Sequence, residues 1–226
     1  HDRLVAIGEQ LSSLAHEIRN PVASIRSAVA EMQNSINEPE VLNRLVNIAV
    51  RECDRLNYII TSFLDFAREP IQTKNVISLP ELLEEFVEQF KQTLPTTPTY
   101  NVELRTIMKT EHCKVKGDKE QLLLVFRNLA QNAIDAMKDG GTLTILLMSP
   151  TEKGPIEIHF KDEGVGIPPD KITRIFEPFY TEKKQGVGMG LTISLRIISS
   201  HDGTIRVISN PKKGTTMIIR LPRYTE

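Results

Sequence analysis

The sequence predicts a long helical hairpin followed by an α/β sandwich. Two observations carry that expectation. Apolar residues recur at spacings of three and four along two long runs, 4–32 and 41–66, separated only by a short polar turn. Beyond residue 77 the period switches repeatedly between helix-like and strand-like stretches, as it does where helices cover one face of a sheet. A polar segment containing Pro70 lies between these regions. The expected organisation is a hairpin at 1–70, a linker at 71–76 and a second domain at 77–226.

The chain has 226 residues, 40% of them hydrophobic and 25% charged, with a net charge of -1. That suffices for one large or two small domains. The near-zero charge offers no electrostatic case for nucleic acid or for a membrane surface. Cys53 and Cys113 stand far apart and form neither a metal spacing nor a disulfide framework, which fits a reducing cytoplasm. No apolar run approaches the roughly 20 residues of a membrane span, and no signal-peptide pattern is seen. The helical pattern is already running at Leu4, so the piece reads as the continuation of a longer first helix.

The first helix is expected over 1–35. Its apolar residues are Leu4, Ile7, Leu11, Leu14, Ile18, Val22, Ile25, Val29 and Met32, a narrow stripe close to a coiled-coil seam. His16 lies two residues from Leu14 and two from Ile18, on the far side of the helix from that stripe, and is presented to water. Glu17 follows it. A carboxylate can orient or deprotonate one imidazole nitrogen and leave the other as a nucleophile. By itself the pair reads equally well as two surface residues. Pro21 falls inside the helix and predicts a bend just after the histidine.

Asn34 to Pro39 is a polar turn, with Asn37 or Glu38 before Pro39 as the next helix start. The second helix is expected from Glu40 to Ala67. Its stripe is Val41, Leu45, Ile48, Leu56, Ile59, Phe63 and Phe66, with Ala49 and Cys53 filling the gap left by Glu52. One hairpin cannot bury both stripes well, whereas two can as a four-helix bundle, so a homodimer is expected with both copies of His16 outside.

The second domain follows the same logic. Leu82, Leu83, Phe86, Val87 and Phe90 make a helix that ends before Pro95. Tyr100 to Leu104 alternates like a strand, 113–116 reads as a short strand, and Lys119 to Met137 as a strongly apolar helix. Asp139 to Gly141 is a turn. Strands are expected at Thr142–Met148, Ile156–Phe160, Ile205–Ile208 and Thr216–Leu221, and a helix at Leu191–Ser200. Asn210 to Gly214 is the turn between the last two strands.

Four stretches of this domain suggest chemistry. On the 119–137 helix, Asn128 and Asn132 share a face, with Arg127 beside them. Two amides there read as capping or core-bridging groups, or as ligands to Mg²⁺ alongside phosphate oxygens. Asp162-Glu163-Gly164-Val165-Gly166 ends a strand, where an aspartate could accept from an exocyclic amine such as that of adenine; the pattern also fits a plain turn. Gly186-Val187-Gly188-Met189-Gly190-Leu191 runs into a helix and can form a backbone anion cradle. Between the glycine clusters lie Phe176, Phe179, Lys183 and Lys184, in some 20 residues without a sure element, which suggests a functional lid.

Taken in order, these stretches resemble the sensor histidine kinases of two-component signalling, and within them the sporulation kinases of Bacillus-type bacteria. His16 to Pro21 looks like the histidine box, Asn128 to Asn132 the asparagine box, Asp162 to Gly166 and Gly186 to Gly190 the two glycine boxes, and Phe176 to Phe179 the phenylalanine box. The resemblance implies a dimerisation and histidine-phosphotransfer stem followed by an ATPase domain of the Bergerat type. It implies that ATP and Mg²⁺ are bound, that His16 is the phosphoacceptor and Glu17 its base, and that an aspartate of a response regulator receives the phosphoryl group. By the same resemblance Asn132 holds Mg²⁺, Asn128 and Arg127 approach the phosphates, and Asp162 reads adenine in a pocket lined by Gly164 and Gly166. Phe176 and Phe179 anchor the lid, Gly186, Gly188 and Gly190 wrap the triphosphate ahead of Leu191, and Lys183 approaches the γ-phosphate. Asn20 matches the position that places water for dephosphorylating the regulator. The sensor region of such a parent, through which it could be membrane-anchored, is absent from the stretch. The stem also offers a helical surface for a small inhibitory protein.

Three rivals share parts of this pattern. A nucleotide-regulated dimeric scaffold would not need His16-Glu17 on a solvent face. A serine kinase of the anti-sigma type would lack the histidine-bearing stem. A DNA-processing ATPase would need a basic face.

Overall fold

The computed structural model describes residues 2–67, 74–94, 102–110, 113–151, 154–183 and 186–225, and for 2–13, 62 and 65–67 the backbone only. The backbone divides into two compact units: His1–Arg68 with Glu177–Met189, and Glu69–Phe176 with Gly190–Glu226.

The first unit is built on the hairpin. Helix α1 spans Asp2–Asn34 and α2 spans Pro39–Ala67. At ~1.5 Å per residue, α1 is about 50 Å long. Pro39 takes the first helical position, where its missing N–H is no loss, and the carbonyl of Glu38 accepts from Leu42 N at 2.9 Å. Along α1 the buried positions are Leu14, Pro21 and Ala28, followed by Ser35 in the turn, a strict seven-residue repeat. The small residues Ala28 and Ser35 fall at the turn end, where the two helices must close on each other. The other edge of the stripe stays open: Val22 is 46% and Val29 48% exposed. Leu4, Ile7, Leu11 and Phe66 fall among the residues whose side chains lie outside the description.

One expectation for α2 is corrected. Cys53 does not fill the stripe; it is exposed. Glu52 occupies that position instead, with its side chain 15% exposed. The spacing Ile48, Glu52, Leu56, Ile59 is the true helical row, and Arg55 supplies the charge that lets a carboxylate sit on it.

The second unit is a two-layer α/β sandwich. It opens with a short strand, β1 (Asn75–Ser78), at a place where a linker was expected and too brief to show a period. The rest of the expected linker, 71–73, lies outside the described residues. Helix α3 (Leu79–Thr93) follows, with Pro80 in its first turn. Then come β2 (Val102–Met108), β3 (Lys114–Gly117), α4 (Lys119–Ala136), β4 (Gly141–Met148) and β5 (Ile156–Lys161). Two single 3₁₀ turns, Pro169–Lys171 and Arg174–Phe176, precede α5 (Gly190–Ser200), β6 (Thr204–Asn210) and β7 (Gly214–Leu221). The first two residues of the strand expected at 100–104 lie outside the description, and the strand itself runs on to Met108.

The main sheet has the order β2-β4-β5-β7-β6. β2 runs parallel to β4 and every other pair is antiparallel, while β1 pairs with β3 in a separate antiparallel ribbon. Alternate residues Leu143, Ile145 and Leu147 of β4, Ile158 and Phe160 of β5 and Ile219 of β7 are buried, which defines one covered face. On that face α4 packs on β4, β5 and β7, α5 on β6, and α3 on α4. Three rings fix the layers: Phe86 of α3, Phe126 of α4 and Phe160 of β5 lie with centroids 5.8 to 6.3 Å apart, partly edge-on.

Candidate active site

The site in the second unit begins with Asp162, the first residue beyond β5. It is 5% exposed. Its Oδ1 accepts two backbone N–H groups, from Gly164 at 2.8 Å and Thr215 at 3.1 Å. Burial pushes its carboxyl above the usual aspartate value, and those two N–H donors oppose the rise. Among the described residues no hydrogen bond reaches Oδ2, so one carboxylate oxygen is left for a ligand donor.

The loop after Asp162 is clamped from both sides. Val165 N donates to Ala136 O at the end of α4, at 3.2 Å, and Lys212 N in the β6–β7 turn donates to Val165 O at 2.7 Å. Gly166 is required here: its φ is +71°, and a Cβ would overlap the carbonyl oxygen of Asn210. Ser209 Oγ accepts from Ile167 N at 2.8 Å and lies 2.8 Å from Thr215 Oγ1. Asp162, Gly164, Gly166, Ser209 and Thr215 therefore form one connected polar floor. Thr215 and Ser209 were not singled out from the sequence; the signal was their place on either side of the Asn210–Gly214 turn.

Asn128 is half-buried on α4, and its amide donates to Gly190 O at 3.2 Å and Ser194 Oγ at 3.4 Å. Ser194 Oγ in turn donates to Gly190 O at 2.8 Å. In this structure Asn128 therefore ties α4 to the first turn of α5. Asn132 lies one turn along the same face, half-buried, and Arg127 is exposed. The half-buried Phe176 offers its carbonyl to Thr192 Oγ1 at 3.0 Å, and Leu191 is half-buried beside it in sequence.

In the first unit, His16 is exposed and its imidazole makes no hydrogen bond or ion pair among the described residues. Glu17 is half-buried, and its Oε2 lies 3.4 Å from a terminal nitrogen of Arg55 on α2. Asn20, one turn beyond His16, is exposed. Arg55 was not recognised in the sequence, because a lone arginine on a charged helix carries no pattern. Within Glu177–Met189, Phe179 has a left-handed φ of 63° and Gly188 one of 71°. The Gly188 backbone passes so close to Phe179 and Tyr180 that a Cβ would not fit. Thr181 Oγ1 accepts from Lys183 N at 3.1 Å and Gly186 N donates to Lys183 O at 3.1 Å, a tight turn that leaves the Lys183 side chain exposed. Val187 and Met189 are buried. Lys184 lies outside the described residues.

The second-unit site suits a nucleotide. A buried carboxylate with one oxygen unspent fits an amine on a planar base, and close-approach glycine backbone fits its edge. Among the described residues no group of three or more His, Cys, Asp or Glu could hold a metal by itself. An amide oxygen can join nucleotide phosphates in a Mg²⁺ shell, and Asn132 is the half-buried amide one turn beyond Asn128. No helix among the described residues is long and apolar enough to cross a membrane.

Comparison with known proteins agrees with these features. Residues 6–70 match the His Kinase A (phospho-acceptor) domain. Residues 117–225 match the histidine kinase-, DNA gyrase B- and HSP90-like ATPase domain. Sporulation kinase A of Bacillus subtilis (strain 168) is 32% identical over 98% of this chain and 36% of its own length. The signal transduction histidine-protein kinase AtoS of Escherichia coli (strain K12) is 32% identical over 98% and 36%. The chain thus spans about a third of these relatives. Among solved structures, histidine kinase ThkA in complex with response regulator protein TrrA is 28% identical, covers 99% of this chain and 64% of that one, and has a TM-score of 0.82.

Proposed function

The chain belongs to the sensor histidine kinase family, and from that premise we propose that it transfers the γ-phosphoryl group of ATP to His16 and then to an aspartate of a response regulator. The observation that carries this reading is the exposed imidazole of His16, without a hydrogen-bond or ion-pair partner among the described residues and followed in sequence by Glu17. One imidazole nitrogen attacks the γ-phosphorus, a P–N bond forms, the bond to the β,γ-bridging oxygen breaks, and ADP leaves. Glu17 takes the proton from the other nitrogen. The chemistry asks mainly for in-line positioning and charge neutralisation.

In this reading Asp162 accepts from the adenine amine, while Gly164 and Gly166 give the base its close approach. Gly186, Gly188, Gly190, Leu191, Phe176, Phe179 and Lys183 serve the phosphates and the lid. Arg127 and Asn128 serve the phosphates, and Asn132 supplies an oxygen to Mg²⁺, which neutralises phosphate charge. Asn128 must exchange its Gly190 and Ser194 contacts to reach a phosphate. The hairpin acts as the phosphotransfer stem and the 77–226 region as the ATPase domain.

The stem pairs with a second copy. Exposed apolar groups on the hairpin support this: Ile36 is 69%, Leu64 53% and Tyr58 51% exposed, besides Val22 and Val29. The stem surface left outside that pairing offers a docking surface for a small inhibitory protein. Asn20 is placed to hold water for phosphatase action on the regulator. The Bacillus relatives support a place in sporulation signalling, and phosphotransfer to a sporulation receiver domain in preference to other receivers would establish it.

The deciding experiment is incubation with γ-labelled ATP and Mg²⁺, with wild type compared to His16→Gln. Acid-labile label that is lost in the mutant is expected, because a phosphoramidate hydrolyses in acid. Acid-stable label would replace this reading with a serine kinase. Nucleotide binding without label would replace it with a regulated scaffold.

A further inference from the structure

The guanidinium of Arg55 is shared between two acids and satisfied by neither. Its one contact to Glu17 Oε2 is 3.4 Å, and the contact of its other terminal nitrogen to Glu52 Oε2 is 3.9 Å. Well-made charge-assisted pairs of this kind close to about 2.7–2.9 Å. The third nitrogen, Nε, is buried and has no hydrogen-bond partner among the described residues. An arginine carries five donors in a fixed fork, and a buried one left unmade is costly. The three side chains are 15 to 27% exposed, so water only partly compensates.

The geometry divides the two acids. Glu52 lies three residues before Arg55 on the same helix and stays beside it whatever the partner helix does. Glu17 reaches across from α1 and stands next to His16 in sequence, yet its carboxylate is engaged by Arg55 and not by the imidazole. A departing Glu17 would not strand the cation, because Glu52 can close on it.

We propose that Arg55 is a positioning residue that parks the Glu17 carboxylate on α2, and that Glu52 competes for Arg55 and so releases Glu17 to His16. This rests on the reading of His16 as phosphoacceptor and Glu17 as its base. The two carboxylates then control the rate of phosphoryl transfer in opposite directions through one guanidinium.

The test is the initial rate of labelling at saturating ATP and Mg²⁺, with KM for ATP and the melting temperature measured for each variant. Arg55→Gln frees Glu17 and should raise the maximal rate by about threefold, the size of a loosely made, partly buried ion pair. Glu52→Gln removes the competitor, tightens the parking and should lower the rate by about as much. Arg55→Lys keeps the charge and should return the rate toward wild type. KM should not move in any of them. Rates that fall in both Arg55→Gln and Glu52→Gln, or that change in neither, overturn the proposal. So does a change confined to KM. Should Arg55→Gln fail to fold, the sign of the Glu52→Gln effect alone decides. His16→Gln is run alongside: label that persists there overturns the phosphoacceptor reading itself, whereas label lost there with the wrong signs overturns only the role of Arg55.

Discussion

Thr215 and Gly164 donate their backbone N–H groups to the same oxygen of Asp162, at 3.1 and 2.8 Å, so the carboxylate is oriented by one oxygen and available through the other. Backbone from two separate segments thus aims a single acceptor. The arrangement also sets its cost, because among the described residues a charge in a site 5% exposed is held by backbone N–H groups alone.

Asp162 should therefore show opposite effects on binding and stability. Its folded-state carboxyl titrates above the usual aspartate value, so its contribution to stability is present at low pH and lost as pH rises through that folded value. At neutral pH the ionised group costs stability. Asp162→Asn should raise the melting temperature at pH 7 while weakening ATP binding about tenfold or more, since an amide N–H would face the adenine amine. Calorimetric titration paired with thermal unfolding checks both signs. In wild type, affinity should decline on acidification at a higher pH than an ordinary aspartate would give.

Gly166→Ala should destabilise the second unit by about 1–3 kcal/mol, because position 166 needs a positive φ and has no room beside Asn210. Chemical denaturation measures it. Nucleotide affinity should fall in the same variant, since the loop is part of the floor beneath Asp162.

Ser194 is fully buried and links Gly190 to Asn128. Ser194→Ala should cost about 1 kcal/mol of stability. It should also loosen the first turn of α5, seen as faster amide hydrogen exchange at residues 190–194 with the rest of the unit unchanged.

On the sheet face away from the helices, Glu157 of β5 accepts from Arg220 Nε at 2.6 Å and pairs with His159 Nε2 at 2.7 Å. Burial raises its carboxyl, yet His159 and Arg220 outweigh that and hold it below the usual glutamate value. The stability it supplies is present above the unfolded-state value and lost as pH falls through the lower folded value. Glu157→Gln should lower stability at pH 7 by about 1 kcal/mol, with the difference shrinking below pH 4. Thermal melts across pH 3–7 check the convergence.

Pro21 is buried within α1 just after His16. A bend there would let the stem flex between kinase and phosphatase states. Pro21→Ala should then change the ratio of autophosphorylation to regulator dephosphorylation, and an unaltered ratio would remove the bend from the mechanism.

Long-period features were the readable ones. The hairpin followed from the spacing of Leu14, Ile18, Val22 and Ile25, and α4 from its apolar row, because amphipathic repetition over many residues is hard to mimic. His16 was placed on the solvent side by the same arithmetic. β1 was missed because four residues show no period, and its pairing with β3 is a long-range choice. Cys53 reads as a stripe residue because a thiol is apolar and Glu52 is charged, and the charge of Arg55 one turn along, itself shared with Glu17 of α1, reverses that preference. Thr215 and Ser209 escaped for a similar reason. Thr215 N donates to the Asp162 carboxylate and Ser209 Oγ accepts from Ile167 N across about 40 to 50 residues, and bonds that pair a side chain with backbone far along the chain leave no local spacing.

His201 closes the far end of α5 onto α4. Its ring lies against Gly117, its Nδ1 donates to Ile197 O at 2.7 Å, and its Nε2 accepts the N–H of Asp118, the N-cap of α4, at 2.9 Å. The other end is pinned where Asn128 meets Gly190 and Ser194. The two antiparallel helices are thus a beam on two supports. A ligand that draws Asn128 away from Gly190 and Ser194 releases one support only, and α5 stays held through His201 at its other end.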